Sequence, residues 1–317
     1  MKKIPAFFLA LMTSVALNAQ EIVFTPQWTA QSQFAGYYAA YELGYYKQAG
    51  LDVSIVHPTQ SNPTLNRLKE GSCNVITLEL IQAMMANGQG ESLVNILQTT
   101  QHSTLSVFVR NPQVKEFEDL KECRVGTWTA GFSEIPHMID QDKNLNIRWI
   151  SFMSPVNLFI SGAIDATLTK TYNEKILMKL SGIRPGNIIF FSENGYDFPE
   201  DGVYVTRSFY LKNKEKCKAF AEASRKGWEW VRTHREEALD MAFRYIKAEN
   251  VATNRQHQRE MLDEILRVQE DGPGESPSFI LKEEDFNRLN DALVRYGYLP
   301  SALDYDIFTE VEKWKEE

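Results

Sequence analysis

The sequence predicts an α/β fold of two lobes, each a mostly parallel sheet flanked by helices. Three observations carry this. From Ile22 onward, β-prone runs alternate with helical stripes, the pattern of parallel strands joined by right-handed crossovers. The 317 residues suggest two domains or lobes. Finally, "LKEGSCNVITL" (Leu68 to Leu78) echoes "FISGAIDATLT" (Phe159 to Thr169). Each ends a helix at a glycine, Gly71 or Gly162, reaches Asn74 or Asp165, then enters a strand. Two lobes of similar construction account for the echo, as do two ordinary helix-glycine-strand turns.

The elements follow in order. Ile22-Val23-Phe24 is a β-prone run stopped by Pro26. Phe34, Tyr37, Tyr38, Tyr41 and Tyr45 recur at spacings of three and four, one face of a helix that Gly50 ends. Leu51 to Val56 alternates and closes at His57-Pro58, completing a β-α-β unit. Helix Leu65 to Glu70, strand Cys73 to Leu78 and helix Ile81 to Asn87 come next. Strands Leu93 to Gln98 and Leu105 to Val109 precede a break at Asn111-Pro112. A second set begins with strand Cys123 to Thr127, helix Glu134 to Asp142 and strand Ile147 to Phe152. Ser154-Pro155 reads as an N-cap with proline at the first helical position, the helix running to Ser161. Strands Ile164 to Leu168 and Ile188 to Phe191 follow. "SENGYDFPEDGVYVTRSF" is loop-rich, then β-prone at Val203 to Val205, and suits a crossing back to the first lobe. From Asn213, expected to cap a long helix, the chain is mostly helical, interrupted by "EDGPGESPSF".

Composition narrows the function. With 43% hydrophobic and 24% charged residues the chain is of globular type. The net charge of -8, without a basic cluster beyond the extreme N-terminus, argues against nucleic acid as a partner. Residues 1–19 read as a signal peptide: Lys2 and Lys3, an apolar run from Ile4 to Leu17, and a small residue, Ala19, at the cleavage point. An uncleaved anchor is the alternative. Cys73, Cys123 and Cys217 are far apart, match no metal spacing and read as buried free thiols or, for two of them, a disulfide. The five histidines show no paired spacing, so no metal site is expected.

In open α/β sheets ligands bind beyond the carboxyl ends of the strands. Trp28, Gln31, Gln33 and Phe34 follow the first strand; the other rings of the stripe are helix packing. Tyr172, Asn173 and Glu174 follow a later strand. Trp128, next to strand Cys123 to Thr127, is a further candidate. A flat heteroaromatic wants aromatic faces and fixed polar partners at its edge. Trp28, Phe34 and Tyr172 can give faces; Asn173 and Glu174 can give edges. Glu174 can equally be a carboxylate favoured by a helix N-terminus. Glu79, at the matching strand end of the first lobe, is the second candidate carboxylate, or a solvated loop charge. "TQSNPT" (Thr59 to Thr64) and "TWTAGFS" (Thr127 to Ser133) could instead donate to an anion such as a sulfonate.

Five blocks in order resemble bacterial periplasmic solute-binding proteins of the thiamine-precursor (aminopyrimidine) group, related to sulfonate, taurine and nitrate ABC-transporter binding proteins. They are "FAGYYAAYELGYYKQAGLDVSI", "EGSCNVITL" (Asn74 where Asp is usual), "FEDLKECRVGTW" (Glu122 in place of Gly), "SGAIDATLTKTYNE" and "AFAEASRKGWEWVRTHREEAL". The resemblance covers essentially the whole mature chain. It implies a two-lobed periplasmic binding protein of type II with the ligand in the cleft. The lobes would be 20–108, 109–203 and, returning to the first, 204–317, with hinge crossings near Val107 to Arg110 and Val203 to Thr206. It implies a monomer in the periplasm, without cofactor, that hands a small molecule to an ABC permease or a membrane sensor. In this group the ligand is an aminopyrimidine, stacked on aromatics and held by a carboxylate. A related eukaryotic branch makes the thiamine pyrimidine with pyridoxal phosphate and a cysteine-rich loop. Here the cysteines are scattered and nothing marks Lys170 as a buried Schiff-base lysine, so a binder rather than an enzyme is expected.

Overall fold

The computed structural model describes residues 21–128, 132–152 and 155–309. The expected signal peptide and the expected cap Ser154 lie outside the described residues. Among the described residues ten strands form two sheets: β1 (Ile22–Thr25), β2 (Val53–Ile55), β3 (Val75–Glu79), β4 (Leu93–Gln98), β5 (Leu105–Val109), β6 (Arg124–Trp128), β7 (Arg148–Phe152), β8 (Ala166–Lys170), β9 (Asn187–Phe190) and β10 (Asp201–Thr206). The first sheet has the order β2-β1-β3-β10-β4, the second β7-β6-β8-β5-β9. In each, the first three strands are parallel and the fourth, β10 or β5, runs antiparallel to both neighbours. The two lobes therefore share one design, and the sheets are mixed rather than simply parallel.

The repeated segment shows why. Gly71 and Gly162 both take the left-handed conformation, φ 72° and 75°, that ends a helix cheaply only at glycine. Asn74 then accepts the Val23 N–H at 3.1 Å, holding the start of β1. Asp165 accepts the Arg124 N–H at 2.9 Å and holds the start of β6 in the same way. The strands that follow, β3 and β8, are the central strands of their sheets, and their last residues are Glu79 and Lys170.

The aromatic stripe is largely packing, as its spacing predicts. Its helix, however, is broken: Ala35–Glu42 and Tyr45–Gln48 are separate helices, because Gly44 is left-handed at φ 72°. Tyr37 packs on Phe24 and Trp228, and Tyr38 stacks on Tyr245 at 4.0 Å. The long helix Lys214–Thr233 crosses Ala35–Glu42 so closely that a Cβ on Gly227 would lie 2.1 Å from the Gly36 carbonyl. Asn213 does not cap that long helix with its side chain; its amide donates instead to the Phe209 carbonyl at 3.0 Å. Cys73 and Cys217 are buried free thiols and Cys123 is a half-buried one.

The chain passes between the sheets at 99–104 and 191–200. The crossings expected near Val107 to Arg110 and Val203 to Thr206 are displaced, since most of those residues lie within β5 and β10. Asn111-Pro112, which suggested the first break, follows the far end of β5. The two crossing segments are joined to each other. His102 Nδ1 meets Asp197 Oδ2 at 2.7 Å, and the Ser103 N–H donates to Asp197 Oδ1 at 2.7 Å. The hydrogen bond to Asp197 holds the His102 pKa above its usual value.

Candidate ligand-binding site

The carboxyl ends of the parallel strands of both sheets face each other across a cleft. One pocket there is lined by Gln27, Trp28, Gln31 and Gln33 from the first lobe and by Trp128, Phe132, Lys170, Tyr172, Asn173 and Glu174 from the second. Seven of the nine candidates from the sequence thus meet: Trp28, Gln31, Gln33, Trp128, Tyr172, Asn173 and Glu174. Phe34 and Glu79 are placed elsewhere. Phe34 is 1% exposed in the core, its ring 5.8 Å from that of His57. Glu79 sits behind the pocket, buried rather than solvated.

Trp28 is half exposed and held from beneath. The Nδ1–H of His57 donates to the Trp28 carbonyl at 2.7 Å, while its Nε2 accepts from the Tyr38 hydroxyl at 2.9 Å. Burial holds the His57 pKa below its usual value, which keeps the ring neutral and able to do both. Across the cleft, Phe132 stands edge-on to Trp28, with ring centroids 6.4 Å apart, and to Trp128, at 5.8 Å. Rings from both lobes therefore converge, and Tyr172 adds a nearly buried fourth. Phe132 was not singled out in the sequence, although it stands in the "TWTAGFS" segment beside Trp128.

The floor is charged. Lys170 Nζ reaches Glu79 at 2.7 Å and Glu200 at 2.9 Å, all three side chains under a tenth exposed. The two symmetry-related central strands thus end in oppositely charged residues that bridge the lobes. Burial alone would depress the Lys170 pKa; Glu200 and Glu79 more than reverse this, so the amine stays an ammonium. Burial pushes Glu79 up to about 8 against the pull of Lys170. Glu200 also accepts from Ser103 Oγ, the Thr104 N–H and the Thr104 hydroxyl.

Glu174 opens helix Glu174–Leu180 and is buried. It stands in the first turn of that helix and accepts the Lys170 N–H at 2.9 Å and the Asn173 amide at 3.1 Å. Each carboxylate oxygen has further acceptor capacity toward the pocket it lines. Burial raises its pKa. Asp201, which the sequence reading did not single out, begins β10 next to the crossing. Its carboxyl accepts Gln27 Nε2 at 2.7 Å and Gln33 Nε2 at 2.6 Å, and burial raises its pKa to about 6.

Of the donors considered for an anion, some in the first segment are otherwise engaged, whereas the buried Thr127 hydroxyl of the second has no partner among the described residues. Thr59 and Asn62 pair with each other through their backbones, and the Thr64 hydroxyl donates to the Pro26 carbonyl at 2.7 Å. Residues 129–131 of the "TWTAGFS" segment lie outside the described residues. A broader open groove runs between helices Glu174–Leu180 and Arg255–Val268. Its rim charges include the exposed pair Lys179–Glu260, and it lies away from the aromatic cluster.

Residues 31–238 match the family model described as "NMT1/THI5 like". The YtlA protein of Bacillus subtilis (strain 168) is 23% identical over 313 residues, which cover 93% of this chain and 91% of that one. A formylaminopyrimidine-binding protein of Halalkalibacterium halodurans is 23% identical over 274 residues, covering 82% and 80%. Among solved structures, the periplasmic aliphatic sulphonate binding protein SsuA of Escherichia coli superposes with a TM-score of 0.67 at 14% identity, covering 91% of this chain and 97% of that one. This last likeness shows the fold.

Proposed function

The chain belongs to the NMT1/THI5-like family, and from that premise we propose that it is the exported solute-binding component of an ABC uptake system. Its lobes close on a small, flat, amino-bearing heteroaromatic such as a pyrimidine precursor of thiamine. One observation carries this reading: rings from both lobes converge on a pocket whose charged lining is one carboxyl, Glu174, and one ammonium, Lys170, the latter held from behind by Glu79 and Glu200. With Lys170 already paired to Glu79 and Glu200, the carboxyl of Glu174 and the side-chain carbonyls of the wall favour a ligand with N–H donors or positive charge over a sulfonate. The formylaminopyrimidine ligand named for one relative agrees with this chemistry.

Trp28 and Phe132 offer faces for the ring, and Glu174 and Asn173 its edge partners. A carboxylate facing a protonated ring nitrogen and its amino group makes a charge-assisted pair, about twice as strong as a neutral hydrogen bond. Lys170 serves binding rather than covalent chemistry. A Schiff-base lysine must present a neutral amine, and two buried carboxylates keep this one protonated.

A thermal-shift panel of aminopyrimidines, nucleobases, sulfonates and polyamines tests the ligand class. An aminopyrimidine at 100 times its Kd stabilises the fold by about 2.7 kcal/mol. Glu174→Gln weakens its binding by roughly 1.5–3 kcal/mol. A shift with alkanesulfonates and none with heteroaromatics sinks the ligand assignment and leaves the fold standing.

A further inference from the structure

Three glutamines stand beside Trp28 in the first-lobe wall of the pocket, and their amides form a chain through Asp201. Gln31 Nε2 donates to Gln33 Oε1; Gln33 Nε2 donates to Asp201 Oδ2; Gln27 Nε2 donates to Asp201 Oδ1. Asp201 is 7% exposed, so water does not substitute for these partners. An ionised carboxylate accepts and cannot donate. Both glutamines that meet it must therefore turn their NH2 groups inward. An amide that points its NH2 one way points its carbonyl the other. Gln33 spends its carbonyl on Gln31. The Gln27 carbonyl oxygen has no partner among the described residues, although it is buried at the pocket wall. An unsatisfied buried acceptor is costly unless something arrives to satisfy it.

The geometry points to Asp201 as a specificity-determining positioning residue: through Gln27 and Gln33 it fixes the wall of the cleft as hydrogen-bond acceptor, so that the pocket selects ligands presenting N–H groups. This rests on the proposed heteroaromatic-binding role and sharpens it. The ligand edge that meets Gln27 carries an amino group or a protonated ring nitrogen, not a carbonyl. The substitution Asp201→Asn breaks the rule. It offers one NH2 and one carbonyl, so one of the two glutamines must turn its NH2 into the cleft.

The test compares two probes of one shape by calorimetry: 4-amino-5-hydroxymethyl-2-methylpyrimidine and its 4-oxo counterpart. The wild type prefers the amino compound. In Asp201→Asn the ratio of the two affinities falls by about tenfold, the scale of one hydrogen bond. Asp201→Glu restores it in part. Gln27→Met, which removes the unpaired acceptor at a half-buried position, lowers the ratio without touching Asp201, and covers the case in which the asparagine variant fails to fold. If both probes weaken by the same factor in Asp201→Asn and the ratio survives Gln27→Met, Asp201 is only structural and the inference is overturned. A second measurement needs no ligand. The side-chain amide resonances of Gln27 and Gln33 titrate together with Asp201, in surroundings set by Glu200, Lys170, Glu79, Tyr37, Tyr172 and Tyr204. Co-titration with neither probe binding supports the relay and refutes the ligand class. Binding of the amino probe without co-titration, its preference unchanged in the variants, does the reverse.

Discussion

Trp28 and Phe34 belong to one short segment and have opposite fates, which makes them a matched pair for experiment. Trp28 is 50% exposed over the cleft and Phe34 is 1% exposed in the core. Trp28→Ala is expected to weaken a heteroaromatic ligand by about 1 kcal/mol, the worth of an aromatic contact, with little change in melting temperature. Phe34→Ala is expected to cost about 3–5 kcal/mol of stability in denaturant titrations. Glu79 gives a pH signature. Its carboxyl, raised from 4.5 to about 8, binds its proton more tightly in the folded chain than in the unfolded one. That contribution is full below pH 4.5 and is lost as the pH rises through about 8. Glu79→Gln should therefore flatten the decline of stability between pH 6 and 8, by on the order of 2 kcal/mol. An unchanged slope would refute the assignment. At this scale the strand-end rule made Trp28, Tyr172, Asn173 and Glu174 legible. Lys170 was harder, because the partners that define it are distant in sequence. The signal existed: aligning the echo one residue further sets Glu79 against Lys170.

Strands β4 and β5 were legible to the residue, because each is a fully buried, mostly apolar run bounded by polar loops. The aromatic stripe was legible as packing but not as two helices. Its hydrophobic period continues across Gly44, and periodicity does not register a backbone that turns left-handed. The crossing of helices Ala35–Glu42 and Lys214–Thr233 depends on two glycines. A Cβ on Gly36 would meet the Trp228 ring at 2.1 Å, and one on Gly227 would meet the Gly36 carbonyl at the same distance. Backbone cannot yield as a flexible side chain would. Gly227→Ala is expected to lower stability by about 3 kcal/mol, the upper end for overpacking, read as a fall in melting temperature. Gly90→Ala, where an added Cβ meets open space, is a useful contrast, since its cost comes only from the positive φ of 99°.

Across the whole molecule the lobes are tied by Lys170 to Glu79 within the cleft and by Arg295 to Asp142 at 2.8 Å outside it. Removing the buried cation leaves Glu79 and Glu200 uncompensated, so Lys170→Met is expected to cost about 3–5 kcal/mol. It should also enlarge the scattering radius of the unliganded protein, whereas ligand should shrink that of the wild type. A variant with unchanged radius would show that the bridge does not hold the lobes together. The two-lobed plan was legible from the alternation of elements and the echo. The crossing points were not, because a proline turn after β5 looks like a boundary although the chain has already changed sheets. The same crossover has a temporal side. Within the first sheet, β4 pairs with β10 alone, and β10 is synthesised only after all five strands of the second sheet. The second sheet, contained between residues 105 and 190, can finish itself while the first still waits. During that interval Leu93–Gln98, six residues that all end up buried, has no neighbour in its own sheet. It is the stretch of a growing chain most open to pairing with the wrong partner. A chain stopped at Glu200 would carry a completed second lobe and a first lobe whose last strand, buried in the finished fold, has nothing to lie against.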